Sequence, residues 1–140
     1  MSLWRRTNHV LVPHSPLFAG CTQQERRALD QLGTRVVVGA GTTLTPEGQP
    51  GREFFVVEGG AASCSVRGVP RRRFERGDFF GEMALLDGGP RTATVMAETP
   101  MELVVFGIGE FHAMLDTSPG VRHRLLVEMS RRLRAADAAA

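Results

Sequence analysis

From Thr34 to Phe106 the chain is a succession of short β-prone runs broken by glycine and proline, and that texture limits its fold more than any other feature. The runs are Arg35–Val38, Thr42–Thr45, Glu53–Glu58, Ala61–Val66, Arg71–Phe74, Thr92–Ala97 and Glu102–Phe106. Between them lie Gly39–Gly41, Pro46–Gly51, Gly59–Gly60, Gly68–Pro70, Gly77–Asp78 and Gly88–Pro90. Strand-sized runs at a spacing of about 8–12 residues, each followed by a turn signal, predict an antiparallel sandwich or barrel. Ala62, Cys64 and Val66 alternate with Ser63 and Ser65, so one face of that strand points inward.

Helical patterns flank this region. Thr22, three residues before Glu25, forms a capping-box signature opening a short helix, with Phe18, Leu29 and Leu32 as its apolar contacts. Glu110 to Asp116 reads as a second helix, halted by Thr117–Ser118–Pro119. Val121, Leu125, Leu126, Met129 and Leu133 then recur at three- and four-residue intervals opposite a set of arginines. Inside the β region, Glu82 to Asp87 reads as one short helical turn. The expected architecture is mainly β with flanking helices: an antiparallel, jelly-roll-like β-roll with one N-terminal helix, that short internal helix and two C-terminal helices. Residues 1–16 are expected to be a lead-in, and 17–140 the domain.

Composition narrows the function classes. A chain of 140 residues with 42% hydrophobic and 23% charged residues is an ordinary single globular domain. The longest apolar stretch, Leu103 to Ile108, is far short of the roughly 18 residues that suggest a membrane span. With no signal-peptide layout at the N-terminus, a cytoplasmic location is expected. All 17 basic residues are arginine, the net charge is only +2, and the arginines are scattered apart from the run Arg71–Arg72–Arg73. That run reads as an exposed hairpin strand, and direct nucleic-acid binding is not expected. Cys21 and Cys64 have neither disulfide-framework nor zinc spacing and read as reduced thiols.

The stretch Phe80-Gly81-Glu82-Met83-Ala84-Leu85-Leu86-Asp87-Gly88-Gly89-Pro90-Arg91-Thr92-Ala93-Thr94-Val95 carries the chemistry. A helical turn beginning after Gly81 points unpaired backbone N–H groups at one spot, which suits an anionic oxygen. Arg91 lies nine residues after Glu82, beyond a glycine-rich turn, and its guanidinium can fork onto two oxygens of one phosphate. Glu82 can accept from a hydroxyl. The set offers a phosphate clamp beside a sugar-hydroxyl acceptor.

This segment resembles the phosphate-binding cassette of the cyclic nucleotide-binding domain family, which includes regulatory subunits of cAMP-dependent kinase and catabolite activator-type regulators. The resemblance covers about Leu17 to Leu133. It rests on Phe80-Gly81-Glu82, Leu85-Leu86 and Pro90-Arg91-Thr92-Ala93-Thr94, supported by Phe54-Phe55-Val56-Val57-Glu58 leading to Gly60 and by Gly77-Asp78. It implies that Glu82 accepts from the ribose 2′-hydroxyl. Arg91 would pair with the cyclic phosphate, aided by backbone N–H groups around Met83, Ala84 and Thr92. Thr92 could also touch a purine edge, and a threonine there is associated with tolerance of cGMP. Cys64 and Phe74 fall at apolar contacts to base and sugar, and Arg72 beside the base.

The implied function is a regulatory sensor that binds a cyclic nucleotide, cAMP ahead of cGMP, and signals through its C-terminal helices. It would need no cofactor or metal and do no chemistry. A homodimer through the last helix and a separate output domain or partner protein are the expected associations. The alternatives are a Glu82–Arg91 pair that only holds a loop, a ligand-free scaffold used for protein interaction, and the sensor fragment of a transcription regulator. A cupin-type metalloenzyme ranks last. His9, His14, His112 and His123 lie in the tail and helices, whereas such an enzyme needs strand-borne histidines converging on a metal.

Overall fold

The computed structural model describes Arg5–Arg6 and residues 15–139, with side chains from 15 to 137. The rest of the expected lead-in lies outside the described residues. Arg5–Arg6 form a two-residue strand, β1, paired with Val36 and Val37, and Pro16–Phe18 make a single 3-10 turn that buries Leu17 and Phe18.

The strand-rich region folds as two antiparallel sheets. One has the order β1-β2-β9-β4-β7, with β2 at Thr34–Val38, β4 at Glu53–Gly59, β7 at Phe79–Phe80 and β9 at Met101–Gly107. The other has the order β3-β8-β5-β6, with β3 at Thr43–Thr45, β5 at Ala62–Val66, β6 at Val69–Phe74 and β8 at Thr94–Ala97. Four helices accompany them: α1 (Gln23–Asp30), α2 (Glu82–Asp87), α3 (Ile108–Thr117) and α4 (Pro119–Ala139). This is the β-roll with flanking helices that the turn spacing predicts. Among the described residues, no helix is long and apolar enough to cross a membrane.

Strands β4 and β9 sit centrally and are buried on both faces, which explains their unbroken apolar runs. Phe54, Val56, Val104 and Phe106 point outward to Phe111, Met114, Val121 and Leu125 of α3 and α4. Their neighbours Phe55, Val57, Leu103 and Val105 point into the roll, against Cys64, Phe74, Phe80 and Val95. Two cores therefore share one pair of strands. α1 begins at the expected capping box: Thr22 accepts from the Glu25 amide at 3.1 Å, and Glu25 accepts from the Thr22 amide at 2.9 Å.

Several boundaries differ from the sequence reading, each for a local reason. β8 begins at Thr94 rather than Thr92 because the chain before it pairs elsewhere. The Arg91 amide donates to Gln49 O and the Gly48 amide to Arg91 O, both at 2.8 Å. At β3, the Thr45 hydroxyl fills an irregular step in the ladder, accepting from the Val95 amide at 3.1 Å and donating to Ala93 O at 3.0 Å. β7 is too short for periodicity to reveal. α4 begins at Pro119, which the sequence reading placed in the break before it, since proline has no amide to waste in a first turn. The apolar stripe of α4 divides: Val121 and Leu125 are buried and Met129 packs partly, while Leu126 and Leu133 are exposed.

Phe54 is fully buried, with its ring 4.9 Å from Phe111, 5.6 Å from Phe79 and 5.9 Å from Phe106. Phe54→Ala should cost about 3–5 kcal/mol, through lost burial and a cavity that rigid neighbours cannot close. Urea unfolding should show a lowered midpoint at unchanged slope. A loss under about 1 kcal/mol would mean that the helices do not depend on this packing.

Candidate functional site

The stretch from Phe80 to Val95 leaves the outer edge of β4, makes α2, and returns past the Pro46–Gly51 loop to β8. Gly81 caps α2 with φ +94, and its site is crowded. A Cβ there would lie 2.8 Å from Glu53 O and 2.9 Å from Arg91 Nη1. Only glycine meets both the positive φ and the close approach of the arginine. At the far end Gly88, also at positive φ, returns its amide to Ala84 O.

The segment lines a cavity of about 110 Å3. Of the residues singled out from sequence, Phe80, Gly81, Glu82, Met83 and Ala84 line it from one side, and Arg91 with Thr92 from another. Cys64 and Phe74 close the apolar wall, where the Phe74 and Phe80 rings stack at 4.9 Å and Phe80 stacks on Phe55 at 4.8 Å. Arg72 is not on the wall. Its guanidinium lies over the Phe74 ring, 4.4 Å from the centroid. Met83 is half exposed at the rim.

Glu82 and Arg91 are both buried, at 4% and 6% exposure, yet they do not pair with each other. Arg91 donates through Nη1 to Gly81 O at 2.9 Å and through Nη2 to Glu53 O at 2.7 Å. Its nearest carboxylate oxygen is Glu53 Oε1, 3.9 Å away on a side chain 42% exposed. Burial lowers the Arg91 pKa, partly opposed by Glu53 and then Glu82. A guanidinium buried with little counter-charge is a poised anion receptor, because a charge removed from water needs a partner.

Glu82 takes its partner from the C-terminal helix. Arg132 donates through Nη1 to Glu82 Oε1 at 3.2 Å and through Nη2 to Phe79 O at 2.7 Å. The same guanidinium lies 4.5 Å from the Phe79 ring centroid and donates through Nε to the Glu128 carboxylate, its i,i+4 partner, at 3.3 Å. Sequence reasoning missed Arg132, along with the wall residues Thr45, Ala93 and Val95. No spacing ties residue 132 to residue 82, and the only local hint was the Glu128–Arg132 pair on one helix face. Reaching in from α4, Arg132 takes up room in a cavity smaller than the ~300 Å3 at which drug-sized pockets begin.

Burial is the main influence on Glu82 and raises its pKa above the usual carboxylate range, with Arg132 pulling the other way. A carboxyl that holds its proton more tightly when folded stabilises the fold at low pH. That contribution fades as pH rises from the ordinary carboxylate value through the raised one. Urea titrations across this window should show a steeper fall in stability with rising pH for the wild type than for Glu82→Gln. Parallel profiles for the two proteins would contradict the buried setting of this carboxyl.

Comparison with known proteins gives a consistent result. The family described as cyclic nucleotide-binding domain matches residues 35–118. A cAMP-dependent protein kinase regulatory subunit from Aspergillus niger is 32% identical over 122 residues, covering 86% of this chain and 30% of that protein. The chain thus spans under a third of the length of the curated relatives it matches. Among solved structures, the catabolite activator protein of Thermus thermophilus aligns with a TM-score of 0.80 at 29% identity, over 89% of this chain and 61% of that one. A second domain of a protein kinase A regulatory subunit, bound to Sp-2Cl-cAMPS, aligns at 0.75 with 25% identity over 89% of this chain and 85% of that one.

Proposed function

The chain belongs to the cyclic nucleotide-binding domain family, and from that premise we propose that its cavity takes cAMP in preference to cGMP and passes occupancy on through α3 and α4. The observation that carries this reading is the buried, under-compensated guanidinium of Arg91 lining the same cavity as the Glu82 carboxylate. A cyclic phosphate carries one negative charge and two free oxygens, which match the fork of Arg91. The adjoining ribose hydroxyl would donate to Glu82. The base would lie toward Cys64, Phe74 and Val95, where the wall is apolar.

Transmission follows from Glu82 serving two partners. A sugar hydroxyl arriving at the carboxylate competes with Arg132, and through it with the last turns of α4. Ligand binding therefore favours a second placement of that helix only to the extent that Arg132 finds other acceptors there. The exposed Leu126 and Leu133 on α4 are where a second copy, a fused output domain or a partner protein would engage. The fungal relatives are named as kinase regulatory subunits, which makes a kinase subunit one such partner. The reading assigns no reaction to the chain.

Calorimetry with cAMP, cGMP and AMP tests ligand and residue together. Arg91→Ala removes one side of a buried charge pair, a loss of about 2–5 kcal/mol, or roughly 30- to several-thousand-fold in cAMP affinity. Glu82→Gln should cost less, about 1–3 kcal/mol, and AMP, lacking the ring phosphate, should bind far more weakly than cAMP. Amide spectra of Gly109 to Leu133 should shift at saturating cAMP in the wild type and respond less in Arg132→Ala. Unmoved wild-type spectra with binding intact would remove the helices from the mechanism. A second reading, a scaffold whose pocket stays closed, is favoured by the small cavity and the inserted Arg132. Absence of cAMP binding at millimolar concentration in both wild type and Arg132→Ala would decide for it.

A further inference from the structure

A second and larger cavity, of about 460 Å3, lies between the 3-10 turn at Pro16–Phe18, the loop from β6 to β7, and α4. Its wall carries Arg76, Arg124, Arg131 and Arg132 against two carboxylates, Asp78 and Glu128. Both carboxylates are engaged: Glu128 accepts from Arg132 Nε at 3.3 Å, and Asp78 accepts from the Glu75 amide at 2.8 Å. By contrast, the guanidiniums of Arg76, Arg124 and Arg131 make no hydrogen bond or ion pair among the described residues. Arg124 is nonetheless held in position. Its guanidinium lies against Gly20, where an added Cβ would overlap it.

We propose that this cavity is a second ligand site, for a small polyanion bearing phosphate groups, and that it is linked to the cassette cavity through Arg132. With four arginines against two carboxylates the concavity carries an excess of positive charge, and the three guanidiniums without a protein partner among the described residues can each fork onto phosphate oxygens. A half-open concavity of this volume suits a small molecule, within the ~300–1,000 Å3 of ordinary ligand pockets. Arg132 and Phe79 form part of its wall, and Arg132 lines the cassette cavity as well. If a sugar hydroxyl replaces Arg132 at Glu82, an anion in the second cavity gives the released guanidinium a new acceptor. Each ligand then tightens the other by the same factor. This linkage, unlike the site itself, rests on the nucleotide reading above.

The probe is inorganic pyrophosphate, titrated into the full chain by calorimetry and amide NMR in low salt. It is added once with the cassette cavity saturated by cAMP and once to Arg91→Ala without nucleotide. Saturable binding is expected in both, with shifts at residues 76–79 and 123–131. In Arg76→Gln/Arg131→Gln, two exposed positions whose change spares the cores, affinity should fall at least about tenfold. Circular dichroism and cAMP titration would verify that this variant folds and keeps its first site. Pyrophosphate binding in Arg91→Ala would stand even if cAMP failed to bind any form of the chain. No saturable binding at millimolar pyrophosphate, or equal affinity in the double variant, would overturn the site. A cAMP affinity unchanged or weakened by pyrophosphate would overturn the linkage.

Discussion

Glu82 and Arg91 are opposite charges buried around one cavity, and the structure keeps them from neutralising each other. A direct ion pair would have satisfied both and closed the cavity. Instead Gly81, lacking a side chain, lets Arg91 reach the carbonyls of Gly81 and Glu53, and Glu82 turns to Arg132. The result is a guanidinium whose hydrogen bonds go to neutral carbonyls and a carboxylate whose partner comes from a distant helix. Desolvation dominates at both groups, raising the proton affinity of one and lowering that of the other. Both residues are therefore held in a state that an incoming ligand can improve, which is what receptor chemistry requires of a protein's own groups.

The roll exists to hold that separation. β4 supplies Glu53, whose carbonyl anchors Arg91, and it also packs Phe55 beneath the cavity and Phe54 against α3. One strand thus fixes the floor of the site and the seat of the C-terminal helices. Because each face of β4 and β9 belongs to a different core, a displacement at the cassette cannot be absorbed within the roll alone. It meets the packing of Phe79, Phe106 and Phe111 on the other side. Interiors packed at crystal density transmit such shifts rather than soften them.

Much of this could be read in the residues. Period-two alternation and turn glycines exposed the strands, the Thr22–Glu25 pair fixed the start of α1, and the cassette spelled out Glu82 and Arg91 as companions. What escaped were features set by tertiary pairing. β7 has two residues and no period of its own, and the start of β8 was displaced because Arg91 pairs with the Gln49 loop through its backbone. Arg72 looked like a pocket residue from its place in the hairpin, but β6 is an edge strand, and its guanidinium stacks over the Phe74 ring without lining the cavity. Arg132 was invisible for a similar reason. Its role depends on where α4 crosses the sheet, and helical periodicity gives a face but not a crossing point.

The same crossing sets the scale of any switch. Arg132 makes a partly buried ion pair with Glu82, a charge-assisted bond to Phe79 O and a cation–π contact with the Phe79 ring. Contacts of these kinds contribute about 1–3 kcal/mol each where they are desolvated and far less where water reaches them. Arg132 is 24% exposed in its side chain, so their sum is modest. A reversal from mostly one helix placement to mostly the other needs about 5.5 kcal/mol of differential binding. A hydroxyl at Glu82 alone supplies less than that, since it replaces one partner of the carboxylate with a weaker one. The remainder has to come from base contacts on the apolar wall or from new acceptors for Arg132 beyond the cavity. A helix tied to the cassette by a single arginine is therefore a graded reporter of the pocket unless a second partner, small or macromolecular, completes its other position.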